Sequence, residues 1–194
     1  MQADFAVELG AEDETLEIPW AAENSGPRYY DLKHCPELLS ELEEVAQAPE
    51  LGEFLSKVNS SRSVIETAKC DLWSSTEMNP EEEIFEADYK FGSYVDLFFS
   101  DAAKRFSFPQ HEQLAKQLTK LLQRAPEMPA AAEFLIRRCY YHEPEEAPGE
   151  EEIRDGFYIT FYLFGYGDDE ARSRQNWVVG LKSVQNAIRQ LSAK

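Results

Sequence analysis

Basic residues are scarce in this sequence. Nineteen lysines and arginines stand against thirty-seven aspartates and glutamates in 194 residues, a formal charge of −18. A field of that sign repels phosphate backbones and anionic lipid surfaces. Direct binding of nucleic acid or of a membrane is therefore not expected, unless the chain imitates nucleic acid to occupy a basic protein's site. Histidine and cysteine are equally sparse, at three of each. An odd number of cysteines without a paired spacing makes no disulfide framework. No run reaches the roughly 18 apolar residues that would span a bilayer. The start, from Met1 to Glu8, carries neither the basic segment nor the apolar stretch of a signal peptide. The expected location is the cytoplasm.

The motifs of common chemistry are missing as well. Gly165-Tyr166-Gly167-Asp168-Asp169 follows a strand pattern but lacks the third glycine and the lysine of a phosphate loop, so it reads as a turn. No two histidines stand at helical metal-ligand spacing, and no nucleophile elbow occurs. The expectation is a chain that is not an enzyme and carries no cofactor.

What is present is an apolar and aromatic body. Hydrophobic residues make up 43% and aromatic residues 12%, with Phe and Tyr concentrated in the second half, too apolar for a disordered chain. The length suits one domain, residues 36–194, with an extended acidic segment, residues 1–35, appended in front. Leu16, Ile18, Trp20, Tyr29, Tyr30 and Leu32 are too apolar for an idle tail. That segment is expected to drape over the body, with room for one short strand.

A shift of 69 residues lays Lys69-Cys70 over Arg138-Cys139, Glu81-Glu82-Glu83-Ile84 over Glu150-Glu151-Glu152-Ile153, and Tyr89 over Tyr158. The match suggests two strand-strand-helix units, 64–125 and 132–192. A chance match between glutamate runs stays open, and the aliphatic faces align better with a one-residue slip. Before the first unit, Leu38, Leu39, Leu42 and Val45, then Leu51, Phe54, Leu55 and Val58, follow a helical period interrupted at Pro49. This predicts a kinked helix or two short ones over 36–60.

In the first unit a strand is expected from Val64 to Trp73. An extended stretch from Phe85 to Phe99 follows, with Gly92-Ser93 marking either a bend in one strand or a tight hairpin. Ser107-Phe108-Pro109 then opens a helix whose face is Leu114, Leu118, Leu121 and Leu122. The second unit holds a strand from Ala132 to His142, an acidic connection from Glu143 to Gly156, and a strand from Phe157 to Tyr166. The last strand is apolar on both faces, with Phe157, Ile159, Phe161 and Leu163 on one and Tyr158, Tyr162, Phe164 and Tyr166 on the other, which requires a cover on each side. Trp177, Leu181, Val184, Ile188 and Leu191 stripe a final helix. The expected class is α+β: an antiparallel sheet from two strand-strand-helix units, helices on one face, and a helical region in front.

This order of elements, with the acidity and the C-terminal amphipathic helix, resembles the fold of type III secretion chaperones and the related YbjN-like proteins over residues 36–194. The resemblance implies a non-enzymatic module, usually a homodimer, that holds another polypeptide.

Three groups of side chains qualify as sites. Tyr158, Tyr162, Phe164 and Tyr166 form a tyrosine-rich face of the kind that supplies interface hot spots, for a protein partner or for self-association. Trp73, Tyr94, Arg138 and His142 would line a small-molecule or enzyme pocket between sheet and helices. Cys70, Cys139 and His142, with His34-Cys35 in reserve, are zinc-type donors if repeat symmetry brings the two strands together. Cys139 and His142, three apart on a strand, would however face opposite ways. Asp168-Asp169 and Glu150–Glu152 are carboxylate runs expected to be solvated. Arg137, Arg138, Arg172 and Arg174 are bases expected to pair with the chain's own acids or to bind an anionic group.

Overall fold

The computed structural model of the chain describes residues 1–10, 15–21, 28–144 and 151–192, with the backbone alone at 143–144 and 151–152. Six strands form one sheet: β1 (Gln2–Glu8), β2 (Leu16–Ile18), β3 (Ile65–Ser75), β4 (Tyr89–Phe99), β5 (Ala130–Pro144) and β6 (Glu151–Gly167). The helices are α1 (Glu43–Gln47), α2 (Pro49–Val58), α3 (Ala102–Arg105), α4 (Phe108–Leu122) and α5 (Glu170–Ser192). Among the described residues there are also two 3₁₀ turns, Pro36–Glu41 and Pro80–Phe85. The fold is α+β. Among the described residues no helix is long and apolar enough to cross a membrane.

The strand order is β1-β5-β6-β4-β3, with β2 also on β5. β3, β4, β6 and β5 run antiparallel to their neighbours, whereas β1 and β2 both lie parallel to β5, one after the other along the same edge. The sheet is therefore mixed, not wholly antiparallel. The acidic N-terminal segment contributes two strands, because Ala3 and Phe5 can join the helix side of the sheet while Leu16 and Ile18 join the other. The stretch before Phe99 is one strand, not a hairpin. The hairpin of β5 and β6 runs on to Pro144 and Glu151, so the ladder occupies part of the expected acidic connection. Glu150 lies outside the described residues, and Glu151 and Glu152 are described by backbone alone.

Alternation assigns the two faces. Phe91, Val95, Leu97 and Phe99 of β4 and Ile159, Phe161 and Leu163 of β6 pack against α2, α4 and α5. Trp177, Leu181, Val184 and Ile188 of α5 are all buried there. The Trp177 indole N–H donates to the Ser93 hydroxyl at 2.8 Å, which satisfies both polar groups inside the core. Gly165 of β6 is seated against the α5 backbone at Ser173 and Trp177, a close approach that only glycine permits.

The 69-residue alignment of the two halves does not preserve these faces. On β4 the odd-numbered residues face the helices, and on β6 the odd-numbered residues do so too. A 69-residue shift would place Tyr89 on Tyr158, exchanging the faces. An even shift keeps them, in line with the one-residue slip.

Candidate functional site

The second face of the sheet is covered at both ends and open between. At one end the N-terminal segment crosses it. Leu16 and Ile18 lie beside Cys139 and Tyr141 of β5, Tyr29 sits 6.4 Å from the Phe98 ring of β4, and the Trp20 indole donates to the Ala68 carbonyl of β3 at 3.1 Å. This crossing buries Tyr158 to 5% exposure and Tyr141 to 1%. The Tyr141 hydroxyl donates to the Phe157 carbonyl at 2.8 Å.

At the other end the 3₁₀ turn Pro80–Phe85 folds back over β4 and β6. A reciprocal cap fixes the turn: Asn79 accepts from the Glu82 backbone N–H, and the Glu82 carboxylate accepts from the Asn79 backbone N–H. Phe85 then stacks on Tyr166 at 4.0 Å and 10°. Partial burial would raise the Glu82 carboxyl, but the Asn79 N–H bond, with those from Lys90 at 2.8 Å and the Tyr166 hydroxyl at 2.9 Å, holds it below the usual range. Tyr166 is left 1% exposed.

Between the covers, Trp73, Tyr94, Tyr162 and Phe164 are partly exposed and touch in sequence. Tyr94 packs on Tyr162 at 6.0 Å, Tyr162 lies parallel to Phe164 at 6.3 Å and 2°, and Trp73 meets Phe164 edge-on at 5.9 Å. The register explains the cluster. Gly92 pairs with Trp73 on one side and Phe164 on the other, and a Cβ there would lie 2.8 Å from the Trp73 ring and 3.1 Å from that of Phe164. The glycine is the seat across which the two rings meet.

The next row spans five strands: Asp71, Tyr94, Tyr162, Glu133 and Asp4. Two tyrosines stand in its middle and carboxylates at its ends. The row after it holds Asp96, Thr160 and Leu135. Asp96 is only 5% exposed and accepts a hydrogen bond from the Thr160 hydroxyl at 2.8 Å. Burial pushes its carboxyl up to about 6, opposed by the Thr160 bond and by the charges of Lys69 and Arg137. Partial burial and the nearby charges of Glu8 and Asp4 likewise push Glu133 up.

Past Phe164 the strip opens into a cavity of about 670 Å³ bounded by Asp4, Glu82, Phe85, Glu133 and Tyr166. A second cavity, of about 450 Å³, lies at the β3 edge between Trp20, Tyr30, Leu42 and Cys70.

The structure regroups the residues singled out from sequence. Tyr158 and Tyr166 are beneath the two covers and unavailable to a partner, while Tyr162 and Phe164 stay accessible. Trp73 and Tyr94 join them on the face away from the helices. Arg138 pairs with Phe157 and so points to the opposite face, and His142 sits near the hairpin end, 3.1 Å from Glu17. The four residues assigned to a pocket do not meet. Cys70 is on the helix side of β3 and Cys139 on the other side of β5, so the sheet separates them; burial pushes both thiols up to about 12. His34 pairs with Asp31 at 2.8 Å. Arg137 binds Glu8 at 2.7 Å, and Arg174 reaches Glu50 at 3.3 Å. Asp71, Asp96 and Glu133 were not singled out from sequence; the available signal was their regular interruption of aromatic strands.

No protein-family model, characterised protein or solved structure matches the chain.

Proposed function

We propose that the chain is a non-enzymatic protein-interaction module that receives a partner polypeptide on the open middle of its second face, at Trp73, Tyr94, Tyr162 and Phe164. The observation that carries this reading is the contiguity of four partly exposed aromatic rings between two built covers, on a sheet whose other face is filled by helices. Aromatic rings of this kind anchor interfaces because they give large contact area with few torsions to freeze.

The face is favoured over the sheet edges. On β3 the Asp71 carboxylate accepts from the Leu72 N–H at 2.7 Å, and on β1 the Asp4 carboxylate accepts from the Phe5 N–H at 2.7 Å. β3 and β1 thus each carry an aspartate that occupies a backbone donor, a device that discourages strand addition there. The likeness to secretion chaperones and YbjN-like proteins belongs to the same proposal.

A photo-crosslinking residue at position 162, in the cell that makes the protein, should capture a defined polypeptide that the same residue at the 60%-exposed position 84 does not. Tyr94→Asp in that background should abolish the product with helical content unchanged. Equal capture from both positions would contradict the reading. A small-molecule role is the second reading, favoured by the cavity of about 670 Å³ beside Phe164. A retained adduct of defined small mass in native mass spectrometry would support it instead.

A further inference from the structure

From the charge pattern of the row Asp71, Tyr94, Tyr162, Glu133 and Asp4, we infer that the partner presents an extended, lysine- or arginine-rich segment that lies across the strands of this face. The inference rests on the reading of the face as a partner surface and names what that surface selects.

The cations of the face are already engaged. Arg137 is held by Glu8 at 2.7 Å, Lys90 by Glu82 at 2.8 Å, and Lys69 lies 4.8 Å from the Trp20 ring centre. Among the described residues no ion pair reaches Asp71, Glu133 or Asp4, although all three are exposed. The open rings therefore lie between carboxylates that no ion pair among the described residues neutralises: Asp71 and Asp4 each accept one neighbouring backbone N–H, and Glu133 feels the Arg137 charge only at a distance. A tyrosine face attracts an ammonium or guanidinium group through its negative π surface, and an adjacent carboxylate adds a charge-assisted hydrogen bond. Asp96, nearly buried between Tyr94 and Phe98 on its own strand, adds negative charge beneath the same surface.

The dimensions suit a peptide. Five strands at about 4.8 Å spacing give a row of roughly 19 Å, the length of about six extended residues. Three alternate side chains of such a segment would face the sheet, the first over Asp71, the middle one over the tyrosine pair and the third over Glu133. A second copy of this chain is disfavoured as occupant, because two chains of formal charge −18 would press like-charged rows together.

The test is calorimetric titration of the whole protein with a short peptide of alternating lysine and threonine, against a matched glutamate–threonine peptide. The lysine peptide should bind and the glutamate peptide should not. Tyr162→Ala should weaken binding about tenfold. Asp71→Asn with Glu133→Gln should do the same, whereas Glu37→Gln with Glu53→Gln, an equal charge change on the helix side, should leave affinity within about twofold. Equal weakening by both charge pairs would reduce the effect to overall acidity and overturn the inference. A crosslinked partner at position 162 that lacks a basic segment would overturn it while sparing the partner surface itself. A concentration-dependent dimer broken by Tyr162→Ala, without peptide binding, would assign the face to a second copy.

Discussion

The two faces of one sheet solve different problems here. The helix face is closed by continuous side-chain packing, and its few polar groups, such as the Trp177 indole and the Ser93 hydroxyl, satisfy each other. The second face is closed only at its ends, by segments that come from elsewhere in the chain, and its middle keeps aromatic rings and a nearly buried carboxylate near solvent. A stable fold needs the first arrangement. The second costs stability, and costs of this kind gather where a surface has work to do.

The sharpest way to break the contrast is on the helix face. Gly165→Ala drives a methyl group into the α5 backbone at Ser173 and Trp177, so a loss of about 3 kcal/mol or more is expected in denaturant unfolding. A loss below about 1 kcal/mol would mean that α5 does not pack as described.

Asp96→Asn should act in the opposite direction. Its carboxyl is pushed up to about 6 from an ordinary 3.8, so between those values the folded state binds more protons than the unfolded one. Stability therefore falls as pH rises through that window, and above pH 6 the charge costs on the order of 2–3 kcal/mol. The asparagine variant should be more stable than the parent at pH 7.5, with the advantage shrinking through pH 6 and absent near pH 4. Burial lowers His111, which makes the protein less stable below its ordinary value, but that contribution is common to both proteins and cancels in the difference. A pH-independent difference would remove the account of Asp96.

Phe85→Ala tests the cover. Losing the stack on Tyr166 should cost about 1–2 kcal/mol and increase Tyr166 exposure, read by its fluorescence or by nitration. The smallest stability effect belongs to the open middle. Tyr162→Ala should change unfolding free energy by less than about 1 kcal/mol while removing partner capture, because a partly exposed ring on the open face contributes little to the helix-side core.

The same contrast marks what could be read from sequence. The helix face was legible: the α5 stripe from Trp177 to Ile188 and the Leu114 to Leu122 face of α4 have a period that one segment carries alone. The need for two covers on β6 was legible too, since aromatic residues at Tyr158 through Tyr166 have to be buried or used. Which tyrosines are buried was not. Tyr166 is closed by Phe85, and Tyr158 by a segment ending more than a hundred residues earlier, so no local pattern separates them from Tyr162. Trp73 joins Phe164 only through the register at Gly92. The sequence predicts an N-terminal segment that drapes over the body with one short strand; the second strand and the parallel pairing escaped because acidic residues mask a short apolar alternation in Ala3 and Phe5, and again in Leu16 and Ile18.

The most direct test of the open middle as the binding surface is an amide NMR map of the labelled protein titrated with the lysine–threonine peptide. The account predicts shifts at Asp71–Trp73, Gly92–Tyr94, Glu133 and Tyr162–Phe164, with α4 and α5 unmoved. Shifts concentrated on those helices, or spread evenly over every acidic surface, would contradict it.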